Sequence, residues 1–445
     1  MIPRFPPNRR LGLALTVLAV AVTACGDDDP DGAAAPSTAL STSPARTAPE
    51  TAPDTTAATP STNGAAQHEI EAPPGATEVD EPMPRLTVTD AESGRVQVLD
   101  LASGEVIDSF DGRGPASLAS DGRFVYVIDH EHDAVDVVDT GTWIVDHGDH
   151  VHAYTAEPAS VGRIEGDRPA HVVPADGVTT VFFDGQGRAD VLAHADLATG
   201  ELAPVRSVET SLPHHGLAIS LAGHMLVSIP GATSEELPVG IEVRHDDGEV
   251  EATYDDCPEM HGKAPLEDGV LFACADGMLW ITGDESGWRG DVLPYPDGTP
   301  AGDRTWSLGH GHGGSFAAGI LDDDALVLVD AAAGTTRRVV VPGEPVALAV
   351  TDDSSSVLVL TADGQLRSFD AATGTPGAAG PVTTPLPAGD EEAPAPHVTV
   401  GGRRAYVSDP AAGSVLEVDI ADGMRVARTF DLGGVPGELV STGAA

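Results

Sequence analysis

The chain has 445 residues and a formal net charge of −47 at pH 7, with 70 aspartates and glutamates against 23 lysines and arginines. Because nucleic acid and anionic lipid both require a basic binding face, this balance argues against either as a partner. The chain also contains 16 histidines but a single lysine, Lys263. This bias towards imidazole favours metal-binding chemistry.

The amino terminus, residues 1–25, is predicted to be an export signal. A basic start that includes Arg9 and Arg10 precedes an apolar run over residues 11–23, which is too short to span a bilayer as a helix. The run ends in Val-Thr-Ala-Cys25, which resembles the lipobox of bacterial lipoproteins, in which the cysteine is acylated. We therefore predict lipidation of Cys25, with an ordinary cleavage site and a chance cysteine as the alternative.

A long segment over residues 26–84 consists mainly of Ala, Pro, Thr, Ser and Asp. Such a segment cannot bury enough apolar surface to offset the entropy of ordering it, so it is predicted to be a disordered tether. The functional domain is then expected to span residues 85–445. That length is ample for a large core.

Short alternating strands separated by Asp-Gly, Ser-Gly and Thr-Gly turns follow from Leu86 onward, for example over residues 123–129 and 134–139. This pattern predicts an all-β protein. The strands recur in four-strand units, which indicates a β-propeller with eight blades, or seven as the alternative. The repeat at Leu86 lacks an inner strand, and residues 437–441 are predicted to supply it and close the ring.

Several histidines lie at or just before the predicted inner strands. Those strands are expected to start near Ala116, Ala170, His214, His261, Trp306, Val346 and His397. Equivalent positions in successive blades surround one mouth of the central channel, so side chains distant in sequence can converge on one ion there. The candidates are His171, His214, His215 and His261, with His310, His312 and His397 as candidates for additional ligands.

A second concentration of imidazole occurs in Asp146-His-Gly-Asp-His-Val-His152, which contains His147, Asp149 and His150. Imidazole with an occasional carboxylate is the ligand set that zinc prefers. His130 and His132 belong either to one of the two clusters or to an exposed turn. Because ligating imidazoles must be neutral, zinc affinity is expected to fall as the pH drops through roughly 6.5.

The chain has three cysteines, and two remain once the residue predicted to be lipidated, Cys25, is set aside. Cys257 and Cys274 are expected to form a disulfide in an oxidising compartment. The alternative is thiolate ligation of a metal, because the spacing in Cys257-Pro-Glu-Met-His261 is compatible with it.

The chain resembles the AztD family of zinc metallochaperones. The resemblance lies in six motifs and the stretch after the second of them: Asp146-His-Gly-Asp-His150, Arg168-Pro-Ala-His171 followed by Phe182-Phe-Asp-Gly185, Pro213-His-His-Gly216, Leu237-Pro-Val-Gly-Ile241, Cys257-Pro-Glu-Met-His-Gly262 and Ala273-Cys-Ala-Asp-Gly277. It implies an exported propeller that delivers zinc to the solute-binding protein of a zinc ABC transporter. The lipobox would attach it to the outer face of the cell membrane through lipid alone.

The resemblance also implies two zinc sites. One is a loop site formed by His147, Asp149, His150 and His152, and the other is a channel-mouth site formed by His171, His214, His215 and His261. Two other functions remain open: a metal-dependent lyase or hydrolase at the same mouth, and a passive protein-binding propeller. Because the sequence contains no nucleophile elbow or acid–base motif, we do not expect an enzyme.

Overall fold

The computed structural model describes residues 75–146, 150–284, 287–322, 324–387 and 393–444. The predicted signal, Cys25 and most of the predicted tether therefore lie outside the described residues. Within the described ranges there are thirty-five β-strands and one short helix, α1 (His194–Leu197). No helix in those ranges has the length and apolar character needed to cross a membrane.

Eight four-stranded antiparallel sheets make up most of the described chain. Sheet 1 contains β2 (Arg85–Asp90), β3 (Val96–Asp100), β4 (Val106–Phe110) and β35 (Pro436–Thr442). Sheet 2 contains β5 (Ser117–Ser120), β6 (Phe124–Asp129), β7 (Ala134–Asp139) and β10 (Ala159–Glu165). Sheet 3 contains β11 (Pro169–Ala175), β12 (Val178–Phe183), β13 (Arg188–Ala193) and β14 (Arg206–Glu209). Sheet 4 contains β15 (Ala218–Leu221), β16 (His224–Ile229), β17 (Gly240–Arg244) and β18 (Val250–Tyr254).

The remaining four sheets continue the same pattern along the chain. Sheet 5 contains β19 (Lys263–Leu266), β20 (Gly269–Ala273), β21 (Gly277–Asp284) and β22 (Gly287–Pro294). Sheet 6 contains β23 (Gly309–His310), β24 (Phe316–Asp322), β25 (Ala325–Asp330) and β26 (Thr335–Val340). Sheet 7 contains β27 (Pro345–Val350), β28 (Ser356–Thr361), β29 (Gln365–Asp370) and β30 (Pro376–Pro381). Sheet 8 contains β31 (Val398–Gly401), β32 (Arg404–Asp409), β33 (Ser414–Asp419) and β34 (Arg425–Asp431).

Apolar side chains fill the space between each pair of neighbouring sheets. The second strands, such as β6 and β20, are buried along their whole length because each sheet packs between two others. Separate core clusters join sheets 1 and 2, 2 and 3, and so on around the molecule. A cluster between sheets 8 and 1, which includes Tyr406 and Leu86, completes the circle. The predicted β-propeller is confirmed, and eight four-stranded sheets follow one another around it in the described residues.

The two ends of the domain close the ring within sheet 1. Strand β35 pairs antiparallel with β2, so that Leu86 lies opposite Ser441 and Val88 opposite Leu439. This confirms the prediction that residues 437–441 supply the missing inner strand. Closure of this kind covers the inner edge of β2 and ties the two ends of the domain together.

Strand direction distinguishes the two ends of the central channel. We call the end at which the inner strands begin the upper end, and the end at which they finish the lower end. The inner strands are β5, β11, β15, β19, β23, β27, β31 and β35. Each inner strand except β35, which is the last strand of the chain, turns at the lower end into the second strand of its sheet. Residues just before an inner strand therefore lie at the upper end, whereas residues in the hairpin after it lie at the lower end.

A three-stranded sheet is added beside sheet 2. It contains β1 (Thr77–Val79), β8 (Thr142–Asp146) and β9 (Val151–Thr155), with β9 in the middle. Strand β1 lies within the segment predicted to be disordered, so ordered structure begins earlier than the predicted boundary at Arg85. The prediction missed β1 because three residues carry too little apolar pattern, and pairing with β9 orders them.

Candidate metal centre

Three imidazoles meet at the upper end of the channel. His171 lies in β11, His215 in the loop before β15, and His261 in the loop before β19, so three consecutive sheets contribute one histidine each. One ligand nitrogen from each side chain lies within 4.8 Å of the others. The closest pair, Nε2 of His215 and Nε2 of His261, is 3.2 Å apart. We call these three residues the upper cluster.

The orientation of His215 is set by a buried carboxylate. Its Nδ1 donates to Oδ2 of Asp184 at 2.6 Å. Asp184 follows β12 and also accepts a hydrogen bond from the backbone N–H of Gly216 at 3.3 Å. A carboxylate partner of this kind fixes the tautomer of a ligating histidine and increases its basicity, leaving Nε2 with a free electron pair for a metal.

The orientation of His261 is set by a backbone carbonyl. Its Nδ1 donates to the carbonyl oxygen of Trp306 at 2.7 Å, so its Nε2 is also directed to the cluster. The loop that carries His261 is anchored by a disulfide between Cys257 and Cys274, both of which are fully buried. The disulfide agrees with the favoured pairing and removes the thiolates as metal ligands. Burial lowers the pKa of His261 to about 4.

The environment of His171 is different, because a cation contacts its ring. Nζ of Lys263 lies 3.0 Å from Nδ1 of His171. Burial lowers the pKa of Lys263 to about 8. Burial is also the first cause that keeps the pKa of His171 well below 6.5, and the charge of Lys263 is the second. Three imidazoles whose ligand nitrogens lie this close together are a zinc-binding arrangement.

His214 does not join the upper cluster, although its neighbour does. Its Nδ1 donates to the carbonyl oxygen of Leu212 at 2.9 Å, and its Nε2 lies 2.8 Å from Oγ of Ser228. The side chain is buried, with both nitrogens held by these bonds. The prediction of His214 as a ligand is corrected here: consecutive residues point in different directions, and His214 points into the protein.

His310 and His312 lie at the lower end, which corrects their predicted position at the channel mouth. Strand β23 is only two residues long, and His310 ends it instead of preceding it. Both side chains line a lower-end cavity of about 450 Å³ together with His194. His312 pairs with Asp352 at 3.3 Å.

Two other histidines near the upper end, His130 and His132, are held by the protein itself. His130 contacts the carbonyl oxygen of Pro169 at 2.7 Å and Oγ of Ser117 at 3.3 Å, which engages both of its nitrogens. His132 pairs with Asp129 at 2.9 Å. His397 immediately precedes β31, and its ligand atoms are outside the 4.8 Å group of the upper cluster. We assign none of the three to that cluster.

The predicted loop site falls partly outside the described residues, which exclude His147 and Asp149. The two described histidines of that loop are close together, with Nε2 of His150 and Nε2 of His152 3.1 Å apart. Glu78 on β1 adds a carboxylate, since its Oε1 lies 2.6 Å from Nδ1 of His152. Sequence reasoning missed Glu78 because it lies in the predicted tether. The only signal for it was a short β-type stretch, Thr-Glu-Val, beside the domain.

Burial of the upper cluster changes the expected pH dependence of zinc binding. Only a neutral imidazole ligates, so protons compete with zinc once the pH approaches the pKa of the ligand. Because the pKa values of His171 and His261 are lowered, protons should compete with zinc at these two ligands only well below pH 6.5, so zinc affinity should fall less steeply near pH 6.5 than at a site of exposed imidazoles. Chelator competition from about pH 7.5 to about pH 4.5 measures this. A decline centred on pH 6.5 would contradict the burial argument.

A closed ring of eight β-sheets with a three-histidine cluster at one channel mouth defines a β-propeller with a candidate zinc centre. The chain is similar to the zinc chaperone AztD of Citrobacter koseri, with 27% identity over 368 residues that cover 81% of this chain and 87% of that protein. The predicted resemblance to the AztD family is thereby confirmed in sequence.

The fold shows the same similarity. The crystal structure of Citrobacter koseri AztD matches with a TM-score of 0.76 and 27% identity, covering 82% of this chain and 99% of that one. The structure of apo AztD from the same organism also matches with a TM-score of 0.76, at 26% identity. No protein-family model matches the chain.

Proposed function

We propose that this protein is an extracytoplasmic zinc metallochaperone that passes zinc to the solute-binding protein of a zinc ABC transporter. The observation that carries the proposal is the upper cluster, in which three imidazoles from consecutive sheets place ligand nitrogens within 4.8 Å of one another. The similarity to a protein named zinc chaperone supports it. Zinc is the cargo in this function, bound and released unchanged.

The geometry of the upper cluster suits transfer between proteins. Three protein ligands leave a fourth position at which a side chain of the acceptor can bind. Once it binds, the three imidazoles can be replaced one at a time, so the ion is never released into solvent. His215 is partly exposed, with 35% of its side chain accessible, so a ligand of the acceptor can approach the ion from this side.

We propose a second zinc site at the loop, held by His150, His152 and Glu78. His147 and Asp149 are included as proposed ligands because they belong to the same loop. Glu78 connects this loop to the segment before the propeller. Movement of that segment would therefore change the ligand set, which is a physical route to controlled loading and release.

The proposed location follows from the amino terminus. Lipidation of Cys25 would anchor the chain to the outer face of the cell membrane, and the residues up to the first strand would serve as the tether. A tether of that length would let the propeller search for an acceptor held at the same membrane.

Direct transfer is the experiment that tests the proposed function. Zinc-loaded protein is mixed with the zinc-free solute-binding protein of a zinc ABC transporter, with a chelator present in excess. We expect the acceptor to gain zinc faster than the chelator alone removes it from the donor, because transfer occurs within a complex. A transfer rate equal to spontaneous dissociation would refute delivery.

The loop site has its own prediction. Replacing His150 and His152 with alanine should remove one bound zinc equivalent, because the loop then keeps too few nitrogen ligands for a stable site. Calorimetric titration with zinc measures the stoichiometry. The matched control is His312→Ala, which removes an exposed imidazole outside the proposed sites and should leave the stoichiometry unchanged. Unchanged stoichiometry in the double loop variant would count against this site.

A further inference from the structure

A group of metal-binding side chains lies at the lower end of sheet 4, away from both proposed zinc sites. His224 begins β16, His245 follows β17, and Glu251 lies in β18. The strand register brings them together: Leu221 is opposite His224, and Met225 is opposite Arg244, the neighbour of His245. One ligand atom from each of the three side chains lies within 4.8 Å of the others.

The distances in this group are close to those of a metal site. Nε2 of His224 lies 2.9 Å from Oε2 of Glu251 and 3.1 Å from Nδ1 of His245. Nε2 of His245 lies 3.5 Å from the same carboxylate oxygen. Two ligands at about 2.0–2.1 Å from a tetrahedral zinc ion are about 3.3 Å apart. Small side-chain rotations would therefore place an ion among the three.

The surrounding residues hold these side chains in position. Nδ1 of His224 lies 3.1 Å from the carbonyl oxygen of Ala222 and donates to it, which leaves Nε2 as the ligand atom. Nε1 of Trp288 donates to Oε2 of Glu251 at 3.0 Å, and its ring packs edge-on against His224. Such hydrogen-bond partners orient the ligands of known metal sites.

We propose that His224, His245 and Glu251 form a further divalent-metal site that binds zinc. Two imidazoles and one carboxylate with an open fourth position are an established zinc ligand set. The site is accessible, since 45% of the His245 side chain and 35% of the Glu251 side chain are exposed. The ligands come from one sheet and lie at the opposite end of the channel from the upper cluster, so the site loads independently.

The site does not depend on the proposed delivery function, and failure of the transfer experiment would leave it standing. Its structural alternative is an ion pair, in which a protonated His224 binds Glu251 and no metal is held. The metal site and the ion pair predict different results in two measurements. One is the number of zinc ions bound per chain, and the other is whether cobalt, added in place of zinc, shows the absorption of a tetrahedral complex.

Zinc titration of the full chain tests the proposal. The variant background is His150→Ala, His152→Ala, His215→Ala and His261→Ala, which removes the other two proposed sites. We expect this protein to keep one zinc equivalent and to show tetrahedral cobalt absorption. Adding His224→Ala and His245→Ala should abolish both signals. The matched control is Glu249→Gln, which removes a carboxylate from the same hairpin outside the group and should change neither.

Two outcomes overturn the site. One is a background variant that binds no zinc while its thermal melt stays cooperative. The other is a zinc equivalent that survives removal of both histidines. If the larger set of substitutions prevents folding, His245→Gln in the wild-type chain decides the question. This exposed single change should remove one of the bound zinc equivalents, and an unchanged count refutes the site.

Discussion

Replacing His215 and His261 together with alanine is expected to abolish zinc binding at the upper cluster. The two Nε2 atoms are 3.2 Å apart, and their loss leaves His171 as the single nitrogen ligand. Loss of only the hydrogen-bond partner of a ligating histidine costs about 10–100-fold in metal affinity. Removal of two ligands should therefore exceed about 100-fold. Competition with a zinc chelator at neutral pH measures the effect.

His312→Ala is the matched control for this prediction. It removes an imidazole at the lower end, where 79% of the His312 side chain is exposed, and it should leave the affinity of the upper cluster unchanged. Thermal unfolding of both proteins separates loss of ligands from loss of structure. An affinity in the double variant within a few-fold of the wild type would show that zinc binds elsewhere.

Replacing Lys263 with methionine should produce the opposite effect, tighter zinc binding. A charged ammonium that donates to Nδ1 of His171 occupies that lone pair and places the ring proton on Nε2. The hydrogen bond therefore opposes ligation by either nitrogen, and the positive charge also repels a divalent cation. Methionine fills a similar volume without charge.

The expected size of this effect follows from charge repulsion. Two unit charges 4 Å apart interact by about 4 kcal/mol at an effective dielectric of about 20. Relief of about a third of that energy would tighten zinc binding by about tenfold. Dissociation should slow accordingly, so we expect the Lys263→Met protein to transfer zinc more slowly to the proposed acceptor. In the wild-type chain, Lys263 then favours release over retention.

Lys263→Arg is the control, because it keeps a positive charge at the same position. Its zinc affinity should stay close to that of the wild type, while Lys263→Met binds more tightly. Weaker zinc binding in Lys263→Met would mean that the lysine supports His171 instead of competing with the metal. Equilibrium affinity and dissociation rate, measured on the same proteins, decide between the two roles.

The sequence alone was sufficient to predict the propeller and its closure. Alternating strands and turn dipeptides are local signals, and the missing inner strand at Leu86 was matched correctly by residues 437–441. Strand starts also located His171, His215 and His261 at one end of the channel, because a repeated architecture relates sequence position to spatial position.

Only the tertiary structure decided which side chains share a site. His214 and His215 are neighbours in the chain, but one bonds inside the protein and the other faces the cluster. His310 lies at the wrong end for the upper cluster because β23 is short, and Glu78 reaches His152 only through pairing of β1 with β9. Side-chain direction and pairing between distant strands depend on packing of the whole ring. Local sequence patterns do not contain that information.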